Sequence, residues 1–257
     1  MKYGVLSKSL LAAAALVVLG GMAAAANADV ISSASQTTFT STIQVNLTNQ
    51  GSVDWIDFSD QTGTTLGTPI AMAGGSGIGK VTFGSTGNGN KEITNFPSQF
   101  TWTNGPSGIN GGNGTNNQGA YVLTSSPGTI SFDVTGDGNA EALTVYTRVY
   151  NGSKTTPLSD PLSATFTLSS GGTGSPYTVT TASQGTYQGV GYIDTVNFQL
   201  AAGDTMNVVL TTPQNSSNIA IAAATLADAS PVPEPASLGL MGIGGAALLL
   251  VGRRKRA

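Results

Sequence analysis

The chain has 257 residues, of which 13 are acidic and 10 are basic, and it contains neither cysteine nor histidine. These missing side chains exclude disulfide bonds, cysteine nucleophiles, catalytic triads that need an imidazole, and most transition-metal sites. Charged residues make up only 9% of the chain, whereas Ser, Thr, Asn and Gly are abundant. This composition favours β-structure over helices, which prefer Glu, Lys, Arg and Leu.

Residues 1–28 have the organisation of a secretory signal peptide. Two lysines accompany an apolar stretch, residues 10–26, and Ala26 and Ala28 place small side chains at the two positions that signal peptidase reads. We expect the general secretion machinery to export the chain and signal peptidase to cleave after Ala28, which makes Asp29 the first mature residue. The alternative is an N-terminal anchor that is not cleaved.

Removal of the basic ends changes the charge of the chain. The predicted mature body keeps four basic residues against all thirteen acidic ones, a formal charge of −9 instead of −3. An acidic surface with scattered cations does not follow a phosphate backbone. Nucleic acid is therefore excluded as a partner.

Residues 29–229 show the period-two alternation of half-buried β-strands. The clearest strands are predicted at residues 38–47, 129–134 and 143–150. Weaker ones are predicted at residues 53–58, 80–83, 99–103, 120–123, 164–168, 177–181, 193–200, 206–211 and 219–226. For the last of these, the pattern of residues 220–227 leaves strand or helix undecided. Gly, Asn, Ser and Pro occupy nearly every gap. We predict an all-β fold, a single antiparallel β-sandwich or jelly roll.

A glycine-rich segment, residues 74–80, reads GGSGIGK and matches most of a phosphate-binding loop. However, Val81 stands where the magnesium-binding Ser or Thr is required, and the residues that follow cannot open a helix. We interpret this segment as a flexible turn.

Four polar residues around two glycines are candidate calcium ligands: Asp133, Asp137, Asn139 and Glu141. Calcium prefers carboxylate and amide oxygens on flexible loops. The segment lacks the residue order of a helical calcium loop, so an exposed hairpin turn is the alternative. No other cofactor is expected.

Trp55 and Trp102 are the candidate ligand-binding residues, because sugar-binding modules use aromatic rings as flat platforms. A Trp at a strand position of a sandwich can equally belong to the core. Glycoside hydrolysis needs two carboxylates that face each other across a sugar, and no spacing in this chain points to such a pair. We therefore expect a non-enzymatic protein.

The C-terminal segment, residues 230–257, combines three features in order. Three prolines make residues 231–235 a stiff, extended hinge. Residues 236–252 are a predicted transmembrane helix, and its uncharged run of about 15 residues spans about 22 Å, less than a hydrocarbon core of about 30 Å. The basic residues in 253–257 favour the cytoplasmic side, which places the body outside.

This tail resembles the PEP-CTERM sorting signal of Gram-negative bacteria that make extracellular polysaccharide. The matching residues are Val232, Pro233, Glu234, Pro235, Ala236 and Ser237, followed by the apolar run and the basic stop Arg253, Arg254, Lys255 and Arg256. The resemblance implies recognition by an exosortase-type membrane transpeptidase, with cleavage at the Pro-Glu-Pro. The same segment is also labelled an ice-binding-protein C-terminal domain, which describes the tail and not an activity. The alternative is a single-pass anchor that is never cut.

The body has a more diffuse resemblance to secreted jelly-roll modules that are similar to galactose-binding-like domains. The matching segments are residues 47–55, 100–103, 143–146 and 221–226. The resemblance implies a jelly roll that spans about residues 38–226.

These features together predict an exported surface or extracellular-matrix protein, linked to exopolysaccharide or biofilm. The C-terminal helix would hold it in the inner membrane until exosortase processing. The first alternative is a carbohydrate-binding module with polysaccharide as its partner. The second is an ice-binding protein, which needs regular threonine arrays on a flat face, whereas the sequence shows only irregular ones.

Overall fold

The computed structural model describes residues 29–39, 43–58, 69–84, 90–93, 98–105, 119–122, 128–151, 162–180, 191–211 and 217–229. Their strands are β1 (Val30–Phe39), β2 (Ile43–Asn46), β3 (Asp54–Asp57), β4 (Ile70–Ala71), β5 (Thr82–Gly84), β6 (Asn90–Ile93), β7 (Ser98–Thr101), β8 (Gly119–Val122), β9 (Thr129–Thr135), β10 (Ala140–Asn151), β11 (Ser163–Leu168), β12 (Tyr177–Thr180), β13 (Gly191–Gln199), β14 (Thr205–Thr211) and β15 (Ser217–Asp228). A one-turn helix, α1 (Leu47–Gln50), follows β2.

The predicted signal segment and the predicted transmembrane segment lie outside the described residues. Within the described residues, no helix combines the length and the apolar character that crossing a bilayer requires.

Two antiparallel sheets form a sandwich. The large sheet follows the order β1-β13-β10-β15-β3-β4, and β8 pairs with β15 and with β6. The small sheet follows the order β12-β11-β14-β9-β5. The predicted all-β, antiparallel, sandwich-like architecture is therefore confirmed for the described residues.

The main core lies between the two sheets and follows from the period-two alternation of the strands. The large sheet contributes Leu143, Val145, Val196, Phe198, Ile221 and Leu226, and the small sheet contributes Ile130, Phe132, Val134, Phe166, Leu168, Met206, Val208 and Leu210. These side chains are at most 3% exposed. Their burial is the main source of stability, because the chain has no disulfide to assist it.

A second apolar cluster covers the other face of the large sheet. Val145 belongs to the main core and the adjacent Tyr146 belongs to this cluster, so β10 is buried on both faces. A register shift between β10 and β15 opposite Tyr146 brings Ala222 and Ala223 to the same side. The cluster is closed by α1 and by the pair β2–β7, which contribute Val45, Leu47 and Phe100. The large sheet is therefore a middle layer.

Two details differ from the sequence-based prediction. The pair β2–β7 is parallel, so the described sheets are not all antiparallel. The predicted strand at residues 38–47 is divided, because β1 ends at Phe39, β2 begins at Ile43, and Leu47 begins α1. The Asn46 side chain caps this helix by accepting a hydrogen bond from the Asn49 N–H at 3.1 Å.

The core can be tested with two neighbouring residues of β11. Phe166 is fully buried and Thr167 is exposed. We expect Phe166→Ala to lower the free energy of unfolding by about 3–5 kcal/mol, because it removes buried area and leaves a cavity. The control Thr167→Val should change it by less than about 0.5 kcal/mol. Urea unfolding followed by tryptophan fluorescence measures both, and equal stability of the two variants would contradict this core.

Candidate functional site

The residues predicted for sorting and processing lie mostly outside the described part of the chain. This applies to Ala26, Ala28, Val232, Pro233, Glu234, Pro235, Ala236, Ser237, Arg253, Arg254, Lys255 and Arg256. Asp29, the residue after the predicted signal-peptide bond, is described.

Asp29 is a buried anchor at the start of β1, with 6% exposure. Its carboxylate accepts hydrogen bonds from the Ala201 N–H at 2.9 Å and from the Ser170 hydroxyl. Its carbonyl accepts one from the Thr173 N–H at 2.9 Å. Asp29 thus ties the beginning of the sandwich to two loops, and a processed chain must retain it to keep these contacts.

Trp55 and Trp102 lie in the second apolar cluster and are 0% and 3% exposed. Their ring centroids are 5.6 Å apart and the planes are tilted by 39°. The Trp55 indole N–H donates to Asn104 Oδ1 at 2.7 Å, and the Thr48 hydroxyl donates to the same oxygen at 2.8 Å. Neither ring is the exposed platform that the sugar-binding hypothesis requires. Both rings pack the large sheet against its covering layer.

The four candidate calcium ligands do not converge. Asp133 lies on the exposed face of the small sheet, where its Oδ1 accepts a hydrogen bond from Asn207 Nδ2 at 2.9 Å. Asp137 and Asn139 form a local turn, in which Asp137 accepts from the Asn139 backbone and side-chain nitrogens at 2.8 and 3.0 Å. Among the described residues, no group of three or more carboxylates is placed to hold a metal ion.

Glu141, the fourth candidate, is a buried carboxyl with 0% exposure. Neither of its oxygens has a well-formed hydrogen bond among the described residues. Burial raises the pKa of Glu141 to about 7, the negative charges of Asp137 and Asp228 add to the rise, and the nearby Asp137 N–H opposes it. Glu141 therefore titrates near neutrality.

Asp194 is another buried carboxyl, and it is not among the candidate residues that the sequence offers. It is fully buried on β13, where it accepts hydrogen bonds from Gln36 Nε2 at 2.5 Å and from the Thr147 hydroxyl at 3.1 Å. Burial raises the pKa of Asp194 to about 6, against the effect of these two hydrogen bonds. The sequence does indicate the burial of Asp194, because period-two alternation places it on the same strand face as Val196 and Phe198.

The glycine-rich segment surrounds the carboxylate of Asp54. The Ile78 N–H donates to Asp54 Oδ2 at 2.9 Å, and the Trp55 N–H donates to Oδ1 at 2.8 Å. A Cβ at Gly75 would overlap this carboxylate, so glycine allows the backbone to approach it closely. Burial raises the pKa of Asp54, and these N–H groups oppose the rise. The loop therefore cradles an internal anion, which agrees with its interpretation as a turn and not a nucleotide site.

The decisive comparison concerns the C-terminal tail. Residues 231–256 match the PEP-CTERM protein-sorting motif. The chain carries a PEP-CTERM sorting signal. This motif indicates an exported protein whose C-terminal segment directs exosortase processing. It covers the predicted hinge, the apolar run and the basic stop, so the resemblance of the tail is confirmed.

The body is similar in outline to carbohydrate-binding modules of known structure. The C-terminal family 22 module of Clostridium thermocellum Xyn10B shares 13% identity and a TM-score of 0.34, over 72% of this chain and 98% of the module. The CBM22-1 xylan-binding domain of Paenibacillus barcinonensis Xyn10C shares 15% identity and a TM-score of 0.33, over 68% and 94%. TmCBM61, solved with β-1,4-galactotriose, shares 9% identity and a TM-score of 0.38, over 58% and 88%. No curated protein sequence matches the chain. At this distance the similarity carries no inference about a ligand.

The raised pKa values of Asp194 and Glu141 predict that the folded body is more stable in mild acid. Asp194 and Glu141 hold their protons to higher pH in the folded chain than in the unfolded chain, where carboxyls titrate near about 4. Between about pH 4 and pH 7 the folded state binds more protons, so the free energy of unfolding falls as the pH rises. Thermal unfolding at a series of pH values measures this slope.

Neutral variants identify the groups that cause the slope. We expect Asp194→Asn to remove roughly 3 kcal/mol of the pH dependence, the order of magnitude that its shifted pKa implies, and Glu141→Gln to flatten the slope further. The control Asp204→Asn changes an exposed carboxyl and should preserve the slope. A double variant of Asp194 and Glu141 that keeps the original slope would contradict this assignment.

Proposed function

We propose that this chain is a non-enzymatic exported protein that reaches the cell surface or extracellular matrix of a Gram-negative bacterium through exosortase processing. The PEP-CTERM match over residues 231–256 carries the proposal. The tail first holds the body at the inner membrane, and cleavage at the Pro-Glu-Pro then releases it to its destination. A link to exopolysaccharide or biofilm is part of the same proposal.

The contacts of Asp29 support the proposed cleavage of the signal peptide at the N-terminus. Cleavage after Ala28 would leave Asp29, whose carboxylate and carbonyl contact two loops, as the first residue of the mature body. A cut one residue later would remove these hydrogen bonds. The proposed mature body therefore begins at Asp29 and ends in the hinge.

The processing proposal is tested by mass spectrometry of the chain recovered from cells with an active exosortase. We expect a product that begins at Asp29 and lacks the apolar run and the basic stop. Glu234→Gln should retain the tail, because it removes the charge of the Pro-Glu-Pro. Asp228→Asn, an acidic residue on β15 close to the hinge, is the matched control and should be processed normally. An unmodified chain that still ends in Ala257 under these conditions would overturn the proposal.

One observation favours a second candidate function, polysaccharide binding by the outer face of the small sheet. The strand register places four hydroxyl side chains in one cross-strand row, Thr180, Ser163, Thr211 and Thr129. In the adjacent row Thr178 lies beside Thr165, and Val209 separates Thr165 from Ser131. Thr165 and Thr178 are 3.2 Å apart at their hydroxyls, and Ser163 and Thr180 are 3.3 Å apart. Hydroxyl groups donate and accept hydrogen bonds, so this face suits a neutral, hydroxyl-rich polymer.

Ice binding, the remaining hypothesis, needs a flat array. Adjacent strands of a sheet are rotated by about 20–25°, and five such strands work against flatness. The outer face of the small sheet, here called the hydroxyl face, is therefore better suited to binding a polysaccharide than to binding ice.

Polysaccharide binding can be measured by retention of the chain on insoluble neutral polysaccharides. We expect the double variant Thr165→Val and Thr178→Val to lose retention several-fold, because it removes hydroxyls and keeps side-chain shape. The matched control is Thr144→Val with Thr195→Val, a cross-strand threonine pair of the large sheet whose hydroxyls are 3.5 Å apart. Equal retention of both double variants, or no retention of the unmodified chain, would count against this second function.

A further inference from the structure

Three polar side chains meet on the core-facing side of the large sheet. Asp194 lies on β13, between Gln36 of β1 and Thr147 of β10. Its Oδ1 accepts a hydrogen bond from Gln36 Nε2 at 2.5 Å, and its Oδ2 accepts one from the Thr147 hydroxyl at 3.1 Å. Asp194 and Thr147 are fully buried, and alternation places them on the same sheet face as Val145 and Val196 of the main core. An alcohol and a primary amide thus contact the two oxygens of one buried carboxylate.

This arrangement contains the groups that an ester-forming reaction needs. A hydroxyl attacks an amide carbonyl carbon when a neighbouring base takes its proton, and the amide nitrogen leaves as ammonia once it has received a proton. Asp194 contacts both the group that loses the proton, Thr147 Oγ1, and the group that must gain it, Gln36 Nε2. We propose that Thr147 and Gln36 form an intramolecular ester cross-link, with Asp194 as the general base and acid.

The reaction needs no other reagent. Asp194 takes the hydroxyl proton as Thr147 Oγ1 forms a bond to Gln36 Cδ, which gives a tetrahedral intermediate. The carboxyl then passes this proton to Nε2, the Cδ–Nε2 bond breaks with its electron pair staying on nitrogen, and ammonia leaves. The products are the ester between Oγ1 and Cδ, one ammonia, and Asp194 as the carboxylate it was at the start. Atoms and charge balance, and no oxidant or reductant is consumed.

Burial favours each part of this reaction. Exclusion of water strengthens the interactions of the carboxyl with developing charge and protects the ester from hydrolysis. Burial also raises the pKa of Asp194 to about 6, closer to the pH at which a side chain is an efficient general base than the value of about 4 of an ordinary aspartate. The sheet holds both partners at the carboxyl, which replaces the encounter of two separate molecules. Escape of ammonia into the surrounding water then draws the reaction towards the ester.

The cross-link gives a role to β1, the first strand of the described chain. The ester passes across β13 and joins β1 to β10, two strands that are far apart in the sequence and are not paired with each other. The chain has no cysteine, so a disulfide cannot make such a connection. A covalent bond that closes a long loop stabilises a folded chain mainly by restricting the unfolded one. The reaction takes place within the body, so it does not depend on the proposed processing of either end.

Tryptic digestion of the denatured full chain tests the cross-link. Trypsin cuts after Lys91 and Arg148, so Gln36 and Thr147 fall in separate peptides. We expect mass spectrometry to find most of the peptide that contains Gln36 joined to residues 92–148, with a mass equal to their sum less one ammonia. Mild alkaline hydrolysis, which cleaves esters and spares peptide bonds, should separate the two. Recovery of only the separate peptides from the unmodified chain would overturn the proposal.

Single substitutions distinguish the cross-link from a merely structural role of the same groups. Thr147→Val removes the nucleophile and Asp194→Asn removes the base, so we expect both variants to lose the joined peptide. The control Thr144→Val changes another threonine of β10, which contacts Thr195 and not the carboxyl, and it should keep the joined peptide. A joined peptide that persists in Thr147→Val or in Asp194→Asn would contradict the proposed chemistry. The unmodified chain decides the test by itself, so the proposal stays falsifiable where a variant fails to fold.

Discussion

The large sheet must be covered on both faces, and the rest of the fold depends on this requirement. Its central strands β10 and β15 carry apolar side chains that point in both directions, as the adjacent Val145 and Tyr146 show. One face is closed by the small sheet and the other by α1 with the parallel pair. Without disulfides, burial of these faces is what orders the chain. The tryptophans are large side chains that complete the second layer.

The buried carboxyls show how this sheet accommodates polar groups. Asp54 is held by backbone N–H groups of the glycine-rich loop, and Asp194 is held by Gln36 and Thr147. A buried polar group is tolerated when it is hydrogen-bonded and costs stability when it is not. Glu141 has no well-formed hydrogen bond among the described residues, and burial of its charged form raises its pKa to about 7. Protonation removes that buried charge. The same burial that stabilises the sandwich thus makes its stability sensitive to pH.

The segments expected to direct export and the segment that folds into the sandwich are different parts of this molecule. The two ends carry the expected export signals, and the body between them supplies contacts. If cleavage removes both ends, the surfaces that remain are the edges and faces of the sheets. Interaction of the mature body with other molecules would then depend on these edges and faces. The hydroxyl face of the small sheet and the buried Asp29 anchor arise from the placement of strands and not from a motif.

Alternation was enough to predict β9 and β14 within a few residues, because each of these strands buries one set of alternate side chains and this leaves a local pattern. Residues 220–227 left β15 undecided between strand and helix, because residues on both of its faces are buried. The strand β1 was missed, since its Ser, Thr and Ala side chains give little contrast between its faces. For Trp55 and Trp102 the sequence leaves a ligand role and a core role both open, because aromatic residues look alike in a sequence whether they are buried or exposed.

The sequence by itself determined the sorting signal, the absence of disulfides and the all-β class, since these depend on composition and on residues that are close along the chain. Only the tertiary structure decided the parallel pair, the burial of both tryptophans, the distance of Asp133 from the Asp137–Asn139 turn and the hydroxyl rows. The physical reason is that these features depend on which strands become neighbours. For example, β1 pairs with β13 across more than 150 residues, and no local pattern encodes such a pairing.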